Sequence, residues 1–445
     1  MKIKDKTKEM LEEPVEKLIT KLAVPTILSM LITSFYNMAD TFFVGKLGTT
    51  ATGAVGVAFP LMTIIQAMGF FFGHGSGNAV SRKLGAKDTE GAEKIASVGF
   101  FGGLFCGLII MILGIIFINP LTMMLGSTKT ILPYARSYIR ILLFAAPFMS
   151  ASFVLNNQMR FHGRAMFAMF AIITGAVLNV ILDPILIFKF NMGVSGAAAA
   201  TAISQTISFI MLLIAYCTSK CSKISIYNLK YTREQIGDIA AGGLPSLCRQ
   251  GLASVATIAL NTAANPYGDA AIAAMSVVGK IAFFANAVVI GFGQGFQPVC
   301  GFNYGAGNKK RVKEAFYFSV NVATVILVCF AFAGFFGAEK LIAIFRDDDM
   351  DVIRMGAFAL KMQCITMPLN GIFTMSNMLY QTCKWTVPAT TLSSSRQGFI
   401  FIIVVLSLSA IFHMNGVMVA QSVSDVLAFT LTMAFNHKLL KKLFE

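Results

Sequence analysis

Twelve apolar stretches follow one another along this chain, each about 20 residues or longer, and they leave it few ways to fold. They run approximately over residues 20–45, 52–80, 93–119, 132–158, 165–189, 194–218, 236–264, 269–299, 313–336, 352–382, 387–412 and 415–437. About 20 apolar residues in a helix cross a hydrocarbon core of roughly 30 Å. In lipid every backbone N–H and C=O has to be satisfied by the protein, so only helices or a closed barrel can span. A barrel would show short segments of alternating hydrophobicity, and these stretches are continuous. Charge agrees, because only 13% of the 445 residues are charged, about half the share in a soluble domain. The expected fold is an all-α integral membrane protein with twelve transmembrane helices.

The net charge of +15 invites a nucleic-acid reading, but its distribution opposes one. One set of alternate loops and flanks holds Lys2, Lys4, Lys6, Lys8, Lys17, Lys21, Arg82, Lys83, Lys87, Lys94, Arg160 and Arg164. The same set continues with Lys220, Lys223, Lys230, Arg233, Lys309, Lys310, Arg311, Lys313, Lys384, Lys438, Lys441 and Lys442. The other set has Lys46, Lys129, Lys189, Lys340 and Arg346, so the count is twenty-four against five. Such a bias marks the cytoplasmic side, placing both termini in the cytoplasm. The basic excess is therefore topological, and a nucleic-acid partner is not expected. The lysine-rich start leads into a stretch too long for a signal-peptide core. The eight cysteines lie in spans or near their cytoplasmic ends and form no disulfide pattern.

The chain also repeats itself. Pro25 matches Pro245 at an offset of 220, as do Gly73-His74-Gly75 with Gly293-Gln294-Gly295 and the loop 84–88 with 304–308. Pro147 and Pro368 correspond at 221. Agreement across prolines, paired glycines and a loop points to an internal duplication. Each half holds six spans, so both enter the membrane from the same side and are related by a pseudo-twofold axis along the membrane normal. The expected organisation is a segment 1–19, an amino-terminal lobe 20–218, a linker 219–235 and a carboxy-terminal lobe 236–445, with a cleft between lobes that rock.

Two carboxylates break the apolar pattern of the first half. Asp40 and Asp183 each lie within a span, where a charge costs about 2.5–3.5 kcal/mol or more and marks an ion or substrate pathway. Tyr36 and Asn37 precede Asp40 by one helical turn, Asn179 precedes Asp183 by four residues, and Thr201 lies on the sixth span. The first and fifth spans run outward and the sixth returns, so Asp40, Asn179, Asp183 and Thr201 reach one depth in the outer half. Hard oxygen ligands suit Na⁺, and the carboxylates equally accept H⁺. Two carboxylates sharing a low-dielectric site repel, so they share a proton or hold a cation.

The duplicated plan and several motifs resemble the multidrug and toxic compound extrusion (MATE) family, in its DinF-like and MepA-like bacterial branch. They are the Pro25 helix ending in Ala39-Asp40-Thr41-Phe42-Phe43-Val44-Gly45-Lys46-Leu47-Gly48, the loop Ser81-Arg82-Lys83-Leu84-Gly85-Ala86, and Leu178-Asn179-Val180-Ile181-Leu182-Asp183-Pro184. The resemblance covers essentially the whole chain. It implies cation-coupled efflux of bulky amphiphilic, often cationic drugs across a bacterial inner membrane. It places the coupling-ion site on Asp40, Asn179, Asp183 and Thr201, with Ala197 as a backbone ligand. It gives Tyr36, Tyr138 and Asn156 or Asn157 to the substrate cavity, with Asn37 beside Tyr36. On this reading cation binding bends the first helix at Pro25, shrinks the amino-lobe cavity and releases the drug. The chain departs from members that carry a glutamate in the seventh span and an aspartate in the tenth, having Arg249-Gln250 and Asn370 instead. A second cation site in the carboxy lobe is therefore not expected.

The remaining intramembrane polar groups have plainer roles. Arg396 and Asp425 sit about ten residues into adjacent antiparallel spans and are placed to form an ion pair. His74, opposite Gln294 in the repeat, reads as a hydrogen-bonding residue. The forty phenylalanines and twenty-five methionines face lipid or core, with a minority suited to a promiscuous cleft. No serine elbow, His/Glu metal pair or paired catalytic motif falls within the spans, so an enzyme is not expected. The rival transport reading is a flippase for a lipid-linked sugar, which would use Arg249, Lys280 and Arg396 to hold a pyrophosphate. The expected protein is a monomeric Na⁺- or H⁺-driven antiporter without a cofactor, acting on small amphiphiles within the lipid bilayer.

Overall fold

The apolar stretches fold as helices, and no strand occurs among the described residues. The computed structural model describes residues 3–219, 221–229, 231–345 and 349–444, without the side chains of residues 3–5, 37, 38, 41 and 49. Lys2, Lys220, Lys230 and Arg346 of the charge count lie outside the described residues, as does the side chain of Lys4. The first half comprises α1 (Ile3–Glu12), α2 (Val15–Gly45), α3 (Thr49–Gly85), α4 (Thr89–Ile116), α5 (Ile118–Met124), α6 (Leu132–Phe161), α7 (Ala165–Pro184) and α8 (Val194–Thr218). The second comprises α9 (Arg233–Ala264), α10 (Asp269–Gly305), α11 (Lys309–Ala343), α12 (Met350–Thr366), α13 (Leu369–Thr382), α14 (Thr386–Ser394) and α15 (Ile400–Phe444).

Among the described residues, nine helical stretches are both long and apolar enough to span, counting 386–444 as one. The other crossings are explained locally. Helix α9 has the length but carries Glu234, Asp238 and Arg249. The tenth span is broken between α12 and α13 at Met367-Pro368, where proline withholds a backbone N–H. The last stretch contains a chain reversal at His413 (φ 54°, ψ −136°), so it supplies the eleventh and twelfth crossings. Gly193, the residue 220 positions earlier, takes the same conformation (φ 55°, ψ −133°) at the start of α8. The duplication is therefore visible in backbone torsion angles as well as in residue types.

Two bundles result. In the first, α6 packs against α3, α4 and α8, while α7 packs against α2 and α8. In the second, α11 packs against α10, α12 and α13, and α9 against α14 and α15. The bundles meet where α2 lies along α10 and α3 lies along both α9 and α10. Lipid gives apolar helices little reason to associate, so close backbone approach has to supply contact energy. Gly85 abuts the backbone of Phe302, and its repeat mate Gly305 abuts the backbone of Arg82. A side chain at either position would collide with main chain rather than with something movable.

This crossing lies at the end that carries both termini, since Phe444 packs on Phe316 near the start of α11. The same end is tied by polar contacts. Arg82 donates to the Thr382 carbonyl at 2.7 Å and lies 3.7 Å from Asp238. Helix α1 lies across the seam: its Met10 carbonyl accepts from Asn303 in the second bundle, while Met10 and Lys6 border Gly163 in the first. Arg311 adds a bond to the Glu13 carbonyl just beyond α1. Turn chemistry is repeated too, because Asp88 caps α4 through the Gly91 N–H and Asn308 caps α11 through the Arg311 N–H.

Candidate functional site

The intramembrane acids of the first lobe meet where α2, α6, α7 and α8 converge. Asp40 lies one turn from the end of α2, which places it far from the termini, and Asn179 and Asp183 occupy the corresponding last turns of α7. Helix α7 ends there for a local reason. Pro184 has no N–H to donate, and the chain widens into a π turn over Ile185–Lys189, closed by Phe190 N–H to the Ile185 carbonyl at 3.0 Å. Such turns are rare and cluster at functional sites. Gly193 then reverses the chain so that α8 brings Thr201 back beside Asn179, whose Nδ2 donates to Thr201 Oγ1 at 3.4 Å.

Asp40 and Asp183 repel each other electrostatically, and both act on Tyr138 of α6. Tyr138 is fully buried and turns its hydroxyl toward Thr201 without closing a hydrogen bond in range. Tyr36, one turn before Asp40, reaches Gln205 on α8. Asp183 is 0% exposed and Asn179 2%. Among the described residues, neither oxygen of Asp183 has a hydrogen-bond donor, and the same holds for one oxygen of Asp40, Asn179 Oδ1 and Tyr138 Oη. Buried polar atoms are nearly always partnered, and leaving one unmatched costs about 1–3 kcal/mol. Three of the five atoms belong to carboxylates, so the arrangement is electron-rich and short of positive charge. Carboxylate, amide and hydroxyl oxygens are the donor set that a hard monovalent cation or a proton takes.

The structure thus brings together Tyr36, Asp40, Tyr138, Asn179, Asp183 and Thr201. Ala197 lies one turn before Thr201 on α8 and is fully buried. The side chain of Asn37 lies outside the described residues. Pro25 is buried in a continuous α2, and its carbonyl is taken by Ser29 Oγ at 2.8 Å. Gln205 is the residue that sequence reasoning missed. Its signal was present, since Thr201 and Gln205 are four apart and share a helix face.

Asn156 is part-buried, whereas Asn157 belongs to a different constellation, inside the seam between the lobes. There Arg160 donates to Asn157 Oδ1 and, across the seam, to Gln294 Oε1. Its Nη2 also lies 3.4 Å from His74 Nε2. The other nitrogen of His74 is 3.0 Å from Ser246 Oγ on α9. His74 and Gln294, mates in the duplication, thus converge on one arginine. Gln381 completes the layer by donating to Ser246 Oγ at 2.8 Å and to the Gly242 carbonyl.

In the second lobe Arg396 Nε donates to Asp425 Oδ1 at 2.8 Å, and both side chains are buried. Asp425 also accepts from Gln421 at 2.9 Å, Asn370 at 3.1 Å and Thr366 at 3.5 Å. The pair has a bearing on the first site. Gln421 and Asp425 stand 220 residues after Thr201 and Gln205, so a tethered guanidinium sits where the first lobe gathers unpartnered oxygens.

Two six-helix bundles related by duplication, joined along a seam and carrying a polar site in one bundle, define a membrane transporter of the two-lobe kind. Its family is MatE: the chain belongs to it, the family model matching residues 25–185 and 245–407. It is 28% identical over 435 residues to the multidrug export protein MepA of Staphylococcus aureus (strain MSSA476), covering 96% of each chain. Its structure is similar to that of a MOP superfamily transporter from Pyrococcus furiosus described as having a binding pocket of reverse polarity. That match has a TM-score of 0.92 at 25% identity, with 98% of each chain covered. A multidrug resistance MATE family transporter in an outward-facing conformation matches with a TM-score of 0.91, again at 25% identity and 98% coverage of each chain.

Proposed function

We propose that this transporter exports small amphiphilic compounds in exchange for Na⁺ or H⁺, with Asp40 and Asp183 as the carboxylates that take the coupling ion. The single observation that carries the reading is Asp183, fully buried, with both oxygens unpartnered among the described residues and a second carboxylate within electrostatic reach. A proton or a monovalent cation relieves both the repulsion and the unmet acceptors. Asn179 and Thr201 supply further oxygens, Ala197 a backbone carbonyl, and Tyr36, Tyr138 and Gln205 border the site. Tyr36, Asn37, Tyr138, Asn156 and Asn157 are the proposed contacts of the cargo.

The termini lie in the cytoplasm on this reading, so the site opens toward the outside and the ion enters down its gradient. Membrane potential contributes about 2.3 kcal/mol per charge per 100 mV, to which the concentration difference adds. Ion binding draws α2 toward α7 and α8, and Pro25, which leaves the Lys21 carbonyl without its helical N–H, gives α2 a place to bend. The second lobe carries no exchangeable ion, because Arg396 already neutralises Asp425. The working unit is one chain, and the bound species it requires are the ion and the cargo.

Everted vesicles energised separately by a Na⁺ gradient and by a pH gradient test the proposal with ethidium and, in parallel, a carboxylate-bearing dye as cargo. Export is expected with at least one gradient and absent in Asp40→Asn, with insertion and expression unchanged. Wild-type export by well-expressed Asp40→Asn refutes the coupling assignment. The flippase alternative loses one of its three basic groups to the Asp425 pair, which leaves it Arg249 and Lys280.

A further inference from the structure

Two arginines at the lobe seam carry charge that the scaffold does not use. Arg160 is 5% exposed, and its three partners, Gln294, Asn157 and His74, are all uncharged by nature or neutral as acceptors. Its Nε has no partner among the described residues. Arg249, half-buried on α9, makes neither ion pair nor hydrogen bond among the described residues. On the same helix Ser246 lies 3.0 Å from His74 and Gln250 donates to Gln66 across the seam at 3.2 Å. The charges of Arg160 and Arg249 both reach His74. The acids deep in the spans do not answer them: Asp425 is committed to Arg396, and Asp40 and Asp183 belong to the separate site on α2 and α7 of the first lobe.

The duplication shows what the fold itself requires at these positions. The mate of Arg160, at the 221 offset that also relates the prolines 147 and 368, is Gln381. Gln381 ties the same seam layer together with a neutral amide. The mate of Arg249 at offset 220 is Ser29, whose hydroxyl only bonds the Pro25 carbonyl. Neutral side chains therefore suffice for the architecture. Among the described residues neither guanidinium has a carboxylate partner, Arg160 being buried and Arg249 half-buried in the seam, and an anion from outside the chain would meet that charge.

We infer that the cleft between the lobes binds its cargo through an anionic group (carboxylate, sulfonate or phosphate) held by Arg249, with Arg160 as the second charge behind it. The inference rests on the export reading above and names its substrate class. The cationic cargo expected from the family gains nothing from these residues. A planar guanidinium matches each of these anions with two parallel N–H donors, which is why arginine is effective there.

The test uses the full chain in phosphatidylcholine nanodiscs and three matched probes: pyrenebutyrate, neutral pyrenebutanol and cationic pyrenebutyl-trimethylammonium. Saturable binding above that of empty nanodiscs is measured for each. Pyrenebutyrate is expected to bind at least tenfold tighter than the other two. Arg249→Gln is expected to remove that preference, while Arg249→Lys retains a preference of severalfold because the charge remains. Retained heat stability of both variants shows that folding is not the cause. Adding phosphatidylglycerol separates the sources of the anion. Competition with pyrenebutyrate in wild type but not in Arg249→Gln assigns the site to a lipid headgroup, and unchanged pyrenebutyrate affinity assigns it to a soluble amphiphile. Equal binding of the three probes, or an anion preference that survives Arg249→Gln, overturns the inference. Gradient-driven export is read independently in sealed everted vesicles and does not depend on this outcome, so this failure is separable from failure of the antiport reading.

Discussion

Removing the carboxylate of Asp425 tests whether the second lobe is held together by the ion pair it contains. Each oxygen of Asp425 serves two donors: Oδ1 receives Arg396 and Gln421, and Oδ2 receives Asn370 and Thr366. In Asp425→Asn one oxygen remains, so one pair of donors keeps an acceptor and the other pair faces an NH₂. Arg396, 9% exposed by side chain, keeps its charge without an anion. Each unmatched donor costs about 1–3 kcal/mol. Stranding one member of a buried pair costs about 3–5 kcal/mol in all, a figure that already includes part of the donor cost. Replacing both residues, Arg396→Met with Asp425→Leu, removes the charge and is expected to be less destabilising than Asp425→Asn alone, the remaining deficit coming from the orphaned Asn370, Gln421 and Thr366 donors. A thiol-reactive fluorophore gives the assay, since Cys221, Cys300, Cys364 and Cys383 are free and buried and become reactive only on unfolding. If Asp425→Asn melts like wild type, or the double variant is worse than the single, the pair does not hold the second lobe together.

Four further outcomes are expected. Asp183→Asn should abolish gradient-driven export while raising heat stability, because it removes the repulsion from Asp40; export at wild-type rate would contradict the site. Gly305→Val should lower stability by at least about 1–3 kcal/mol by thrusting a side chain into the Arg82 backbone, measured by the same thiol assay. His413→Gly should stabilise by about 1 kcal/mol, since His413 holds a torsion pair that its mate Gly193 takes without strain. Asp88→Ala should cost about 1 kcal/mol of helix capping. The Gly91 N–H, with Lys83 beside it, holds the Asp88 carboxyl below the usual carboxylate range. The cap thus contributes its stability at neutral pH and loses it as pH falls through the lowered folded-state range, so the gap between wild type and Asp88→Ala should narrow as the pH drops below the usual carboxylate range.

Much of this was legible in the sequence because lipid is an undemanding reader of length and composition. The spans could be counted, and Pro25 with Pro245 exposed the duplication. Asp40, Asn179, Asp183 and Thr201 stood out since carboxylates are rare at that depth. What stayed hidden was which face each helix turns to which neighbour. A membrane helix is apolar on its lipid side and on its packed side, so periodicity cannot tell Asn156 from Asn157, one part-buried and the other bound to Arg160. Contacts across the seam join residues more than 130 positions apart, as Arg160 joins Gln294, and no local pattern announces them. Gln205 was missed for a simpler reason: a neutral amide costs less in lipid than an acid and drew less attention.

Helix α1 lies across the seam at the end that bears the termini, its Met10 carbonyl held by Asn303 and its Lys6 and Met10 against Gly163. It belongs by connectivity to one lobe and by contact to both. A rocking motion that parts the lobes at that end cannot leave it where it is, so one of its two moorings has to let go first. Whichever slips, the ten-residue helix behaves as a latch whose joint to α2 at Glu13-Pro14 takes up the difference in travel between the two halves. On the proposed exchange reading, turnover would then depend in part on a segment remote from both the Asp40–Asp183 site and the seam arginines.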